Sequence, residues 1–132
     1  MNQQYIKAGV LIHQDDKFLL VQEKAKRAYG LWNFPSGKVE NGLSTEQTAI
    51  KEAKEETGFD IVLKKEIAVF KDTFPDTKEL YVYLGEVIGG ALETPEDEIL
   101  DASWLSFEDI QQMKDKLVRE WIIQACDRTL TT

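Results

Sequence analysis

Cysteine is almost missing from this chain: Cys126 stands alone among 132 residues. One thiol cannot close an internal disulfide, and its isolation points to a reducing compartment. No stretch reaches the roughly 18 apolar residues that a bilayer-spanning helix needs, and no secretory leader is recognisable. The expected address is therefore the cytoplasm, with no membrane partner. Histidine is nearly absent too, since His13 is the only one. It falls at the end of an expected strand, where such a ring is more often structural than catalytic. Positive charge is in short supply: 16 Lys and Arg against 24 Asp and Glu leave a net charge of −8. That balance argues against polymeric nucleic acid and membrane surfaces, which are themselves polyanionic. It suits a cation site, and a phosphate substrate would need local positive groups and metal. Repeats, low-complexity tracts and linkers are not evident. A composition of 42% hydrophobic and 30% charged residues fits one globular domain spanning 1–132.

What is present is organised around Gly37 to Phe59, GKVENGLSTEQTAIKEAKEETGF. Ser44 with Gln47 three positions on matches a capping box, and Gly58 fits the left-handed residue that closes a helix. Between them, Ala49, Ile50, Ala53 and Thr57 fall on one side as the expected core stripe. Glu52, Glu55 and Glu56 form an adjoining arc, while Lys51 and Lys54 point away. Glu52 and Glu56 are like charges at i,i+4, a mildly destabilising pair even in water. At the border of an apolar face they cost more, because burial disfavours the charged form. Divalent cations such as Mg²⁺, which take oxygen ligands, relieve both penalties. Read alone, the helix is equally a solvated Lys/Glu face with pairs such as Lys51 and Glu55. The preceding Phe34-Pro35-Ser36-Gly37 favours a site. It leads from an apolar segment through a loop, Lys38 to Leu43, into the acidic helix. A carbonyl near Gly37 could add an oxygen ligand.

The rest of the chain supplies a framework. Tyr5 to His13 and Lys17 to Glu23 read as a hairpin around Asp15-Asp16. Ile61 to Lys71 and Leu80 to Ile88 read as strands joined around Phe74-Pro75-Asp76, rich in the aromatic and branched residues that strands prefer. Phe74 or Tyr83 could stack on a base, or be core. Glu93 to Glu98 is a second acidic cluster, Ile99 to Leu105 a short strand, and Phe107 to Leu130 one or two helices. Leu117, Trp121, Ile122, Ala125 and Cys126 form the apolar stripe of that tail. Strands, helix, strands, helix imply a mixed sheet between helices, an α/β fold. Lys24 to Arg27 is a basic island, either a solvated loop or a pair of contacts, Lys24 and Arg27, for substrate phosphate.

The central stretch resembles the Nudix box. Gly37, Glu52, Ala53, Glu55, Glu56, Gly58 and Phe59 match it by position or type, with the spacing over 23 positions intact. Three positions depart: Leu43 stands where the family usually has Glu, Lys51 where it has Arg, and Ser36 where it has Gly. The resemblance implies an α/β/α sandwich with a mixed central sheet. It implies hydrolysis of a pyrophosphate linkage in a nucleoside diphosphate derivative. Glu52, Glu55, Glu56 and the Gly37 carbonyl would hold Mg²⁺, with Mn²⁺ as an alternative. Glu52 or Glu98 would take the proton of the attacking water, Glu98 by its place before the Glu-Ile…Trp-Leu pattern. Arg27, Lys24, Asn33 and Phe74 would meet the substrate. Trp32-Asn33 resembles the pair that reads the base in oxidised-purine hydrolases of the family. A (d)NTP, oxidised or not, is the leading substrate, followed by ADP-ribose and other nucleotide conjugates. Homodimers are a family habit. Leu43 and Lys51 also raise a different class, a nucleotide sensor with weak turnover.

Leu43→Glu separates these readings. If the departure only loosens the loop, turnover measured with Mg²⁺ is unchanged or higher in the variant. A large loss would mean that Leu43 packs as part of this protein's own site.

Overall fold

The alternating segment at the start of the chain becomes β1 (Gln4–Gln14), and KFLLVQE becomes β2 (Lys17–Glu23). They pair antiparallel, His13 opposite Phe18. Between them Asp15 and Asp16 both take positive φ, 52° and 61°, the geometry of a two-residue hairpin turn whose twist suits the strands. His13 packs its ring on Phe18 at 4.5 Å between centroids. This computed structural model describes residues 4–72 and 77–131; Phe74, considered above as a substrate contact, lies outside them.

Two short strands follow, β3 (Trp32–Asn33) and β4 (Ser36–Lys38). The sequence reading takes a loop from Lys38 onward and sees no strand here. The structure lays Ser36, Gly37 and Lys38 against Gly9, Ala8 and Lys7 of β1, so Gly37 is pinned to the sheet. Next comes α1 (Thr45–Thr57), with the Ser44–Gln47 capping box closed in both directions and Gly58 left-handed at φ 82°. Ala49, Ala53 and Thr57 are buried as expected. Ile50 is the exception at 39% exposed: the buried stripe runs through Thr48, Ala49, Ala53, Glu56 and Thr57, which turns position 50 outward.

Strands β5 (Phe59–Asp72) and β6 (Thr77–Gly90) form a long antiparallel ribbon. Then come β7 (Ile99–Ser106), α2 (Phe107–Gln112) and α3 (Trp121–Thr131). Among the described residues the sheet has seven strands in the order β3-β2-β1-β6-β5, with β4 added to β1 and β7 to β2. β1 and β6 run parallel while the other pairs are antiparallel, so the sheet is mixed.

Side chains alternate across the sheet and build a core on each face. One face packs Ala8, Val10, Ile12 and Leu19 against Ala49 and Ala53 of α1. The other packs Leu11, Phe18, Leu80 and Val82 against Ile110 of α2 and Ile122, Ala125 and Cys126 of α3. Trp121 stacks on Phe70 at 5.1 Å, 5° from parallel. Cys126 is a core residue, its thiol pushed up to about 12 by burial. Tyr83, weighed above for base stacking, is only 7% exposed on the α1 face. Its hydroxyl meets Thr45 Oγ1 at 2.6 Å and so anchors the start of α1 to the sheet.

Gly58 ends α1 and lets the chain turn into β5, and a Cβ there would strike the Ala91 carbonyl. Gly58→Ala is expected to lower stability by about 1–2 kcal/mol from the left-handed backbone alone, and by more from the clash. Urea unfolding of the two proteins checks this.

Candidate metal and phosphate site

The acidic residues of α1 face the end of the sheet where β4 crosses β1. Because Glu52 and Glu56 are one turn apart, both carboxylates reach this corner. Glu56 is only 7% exposed. Its Oε2 accepts a hydrogen bond of 3.3 Å from the Ser36 amide of β4. Glu52 is half-buried and lies directly against Gly37, so that a Cβ at position 37 would fall on its carboxylate. The glycine is needed for close approach: its own φ is not among the positive values. Glu55 is more exposed and pairs with Lys51 at 3.1 Å.

These side chains line a cleft of about 370 Å³ together with Glu23, Ala25, Ser36, Asp97, Glu98 and Ile99. Sequence reasoning placed Glu52, Glu55, Glu56 and Glu98 here and missed Glu23. That residue ends β2, where a register shift between Gln22 and Glu23 sets it opposite Ile99 of β7. No motif marked it; an acid closing an apolar strand was the only signal.

Crowding of like charge in a desolvated corner has a clear electrostatic effect. Burial, and then the nearby Glu55 charge, push Glu52 up to about 7. Burial, followed by the charges of Glu23 and Glu52, pushes Glu56 well above the usual carboxylate range. Glu23 is raised by burial, opposed by its hydrogen bond with Asn33. Among the described residues no lysine or arginine forms an ion pair with Glu23, Glu52, Glu56 or Glu98. Lys7 is close enough to feel Glu23 and Glu56, but burial and the charge of Lys78 outweigh their attraction and lower its ammonium pKa. The donors are hard oxygens whose negative charge Lys7 and Lys51 offset only in part, which fits Mg²⁺ or Mn²⁺. As placed, no three acidic, histidine or cysteine side chains among the described residues are grouped to hold one ion. The cleft therefore supplies donors without a closed coordination sphere.

The expected substrate contacts are distributed unevenly. Asn33 of β3 borders the site, its Nδ2 donating to Glu23 Oε1 at 3.5 Å. Lys24 turns its ammonium to the Glu96 carbonyl at 2.9 Å. Arg27 is exposed in a 3-10 turn at Lys26–Ala28. Neither is among the residues lining the carboxylate cleft. Lys51, at the family's arginine position, is exposed and bound to Glu55. No helix among the described residues is long and apolar enough to cross a membrane.

Comparison with known proteins adds to this geometry. The sequence model of the NUDIX domain matches residues 4–125. A Caenorhabditis elegans protein named for the nudix hydrolases is 31% identical over 136 residues, covering 98% of this chain and 36% of the relative. A Bacillus subtilis (strain 168) protein named as an 8-oxo-dGTP diphosphatase is 31% identical over 98 residues, 74% of this chain and 62% of the relative. This chain thus spans between about a third and two thirds of the length of these relatives. Among solved structures, a NUDIX hydrolase from Nitrosomonas europaea superposes with a TM-score of 0.86 at 24% identity, covering 97% of this chain and 89% of that one.

The raised carboxylate pKa values predict how the metal-free protein responds to pH. A group whose folded pKa lies above its unfolded value near 4.5 holds a proton that the unfolded chain has released. Its contribution is present below about 4.5 and is lost as pH rises through about 7 for Glu52, and further for Glu56. In EDTA the melting temperature should fall over this window. Glu52→Gln and Glu56→Gln should each flatten the slope, and Mg²⁺ at alkaline pH should restore stability by binding the folded state. Calorimetry across pH reads all three effects.

Proposed function

The chain belongs to the Nudix family, and on that premise we propose that it is a metal-dependent pyrophosphohydrolase of nucleoside diphosphate derivatives. The leading substrate is a (d)NTP, including oxidised forms, cleaved to the monophosphate and pyrophosphate. One observation carries this reading: Glu56, nearly buried, faces Glu23 and Glu52 and is in no ion pair among the described residues, an arrangement costly unless cations enter the cleft.

Glu52, Glu55, Glu56 and the carbonyl of Gly37 are the groups that would hold Mg²⁺, and Glu23 at the end of β2 belongs with them. Bound there, the metal supplies charge neutralisation of the pyrophosphate and acidifies water. The protein's own part is positional. Gly37 lets Glu52 lie flush against β4, and the Ser36 amide fixes the Glu56 carboxylate. Glu52 and Glu98 both line the cleft, and either can take the proton of a water that attacks phosphorus. As that P–O bond forms, the bond to the bridging oxygen breaks, and the pyrophosphate leaves with its charge held in the cleft. Phosphoryl transfer needs positioning and neutralisation more than a covalent nucleophile, so the site does not require a Ser, Cys or His nucleophile. Trp32-Asn33 beside Glu23, and similarity to a protein named for 8-oxo-dGTP, support an oxidised purine among the substrates.

With Mg²⁺ and a nucleotide panel, the wild-type protein should release pyrophosphate. Glu56→Gln should lower kcat/KM by about a hundredfold or more, as loss of a metal-site group does, while the metal-free melting temperature stays equal or rises. Wild-type turnover in that variant would remove Glu56 from the metal site. Nucleotide-induced stabilisation without any turnover would select the sensor reading instead.

A further inference from the structure

Ser36 is shared by two cavities. On one side lie the carboxylates; on the other a smaller space of about 60 Å³ opens between the sheet and the segment leading into α3. That volume admits the edge of a ring rather than a whole nucleotide. Phe34, Leu80 and Trp121 contribute its apolar walls, which favour something flat. Its charged lining comes from Lys7, Lys78 and Arg119, with no carboxylate among the lining residues. In a chain of net charge −8, such a cluster of cations beside an acidic cleft calls for a ligand.

The registers explain the cluster. Across the parallel pair of β1 and β6, Tyr5 lies opposite Lys78 and Lys7 opposite Leu80. Lys7 and Lys78 therefore sit on neighbouring strands, two residues apart in register and on the same face. Among the described residues neither forms an ion pair, although Lys7 feels the charges of Glu23 and Glu56 and Lys78 lies over the Tyr5 ring, 6.0 Å from its centroid. Arg119 is less available, held by Asp72 at 3.6 Å. Asn33, which the family resemblance offers as base reader, commits one amide N–H to Glu23 and keeps its second N–H and its carbonyl. What this cavity offers a ligand is mainly ammonium N–H donors.

We propose that Lys7 and Lys78 are specificity-determining residues that read carbonyl oxygens on the edge of the nucleobase, so that oxo-edged bases are preferred to adenine. The inference rests on the pyrophosphohydrolase reading and deepens it. An amino edge placed here would set donor against donor and leave the ammoniums unpaired in a partly dry slot, a strongly disfavoured arrangement. A base carbonyl supplies the missing acceptor, and the pyrophosphate extends past Ser36 to the glutamates.

Inosine and adenosine triphosphates differ at one purine position, carbonyl against amino, and provide the test. With the full chain and Mg²⁺, kcat/KM should favour ITP over ATP by roughly tenfold or more. Lys7→Met and Lys78→Met should each reduce ITP turnover more than ATP turnover, chiefly through KM, so that the ratio moves toward one. Melting temperatures of the nucleotide-free variants confirm folding. Stabilisation by ITP or ATP with Ca²⁺ reads the same preference without chemistry. Equal or reversed preference, or a ratio that survives both substitutions, overturns the assignment. If neither nucleotide is cleaved but ITP still stabilises more than ATP, the hydrolase reading falls and the base preference stands. If there is neither cleavage nor differential stabilisation, both fall.

Discussion

Most of this structure answers to the repulsion among carboxylates gathered where α1 meets β4. Glu52 and Glu56 are brought together by one helical turn, and Glu23 and Glu98 arrive from other strands and loops. Among the described residues, an ion pair on this helix face joins Lys51 to Glu55 at the rim, and Lys51 and Lys7 offset the charge only in part. A protein of 132 residues has only a few kcal/mol of net stability to spend on such a cluster. The surrounding fold is correspondingly firm. The capping box and the Tyr83–Thr45 contact fix the start of α1, Gly58 fixes its end, and alanines at 49 and 53 let it lie close on the sheet.

This firmness also bears on the departures from the family pattern. Where the resemblance implies a Glu–Arg brace, this chain has Leu43 and Lys51, and Lys51 reaches only the neighbouring Glu55. The bracing is instead distributed over the Ser44–Gln47 cap, the hydroxyl of Tyr83 and the β4–β1 pairing. Loop and helix thus keep a fixed relation by hydrogen bonds to the sheet, and the carboxylates do not depend on an ion pair for their orientation. The charge pattern changes across Ser36, with acids lining the cavity on one side and Lys7 and Lys78 lining the one on the other.

Local periodicity was enough to identify the first hairpin, α1 with both of its ends, the long strands and the apolar stripe of the tail. These features are encoded within a few residues by alternation, capping side chains and the glycine stop. The acidic trio was legible for the same reason, because i and i+4 on a helix share a face whatever the rest of the chain does. Ile50 shows the limit of such reading. Periodicity placed it within the apolar stripe, and the angle at which α1 lies on the sheet put it outside.

Tertiary pairing decided everything that depends on which strand lies beside which. Glu23 joins the site through a register shift against β7, Gly37 becomes a strand residue because Ala8 pairs with it, and Lys7 meets Lys78 because β6 runs parallel to β1. Burial of Tyr83 likewise follows from the face that β6 turns to α1. None of these neighbours lies within a helical turn or a hairpin in sequence, so no local pattern could encode them. The sequence by itself determined a carboxylate-bearing helix and its glycine, because those are short-range consequences of residue type. The structure alone determined the wall of amides and lysines around it, because sheet register is fixed by the packing of the whole core.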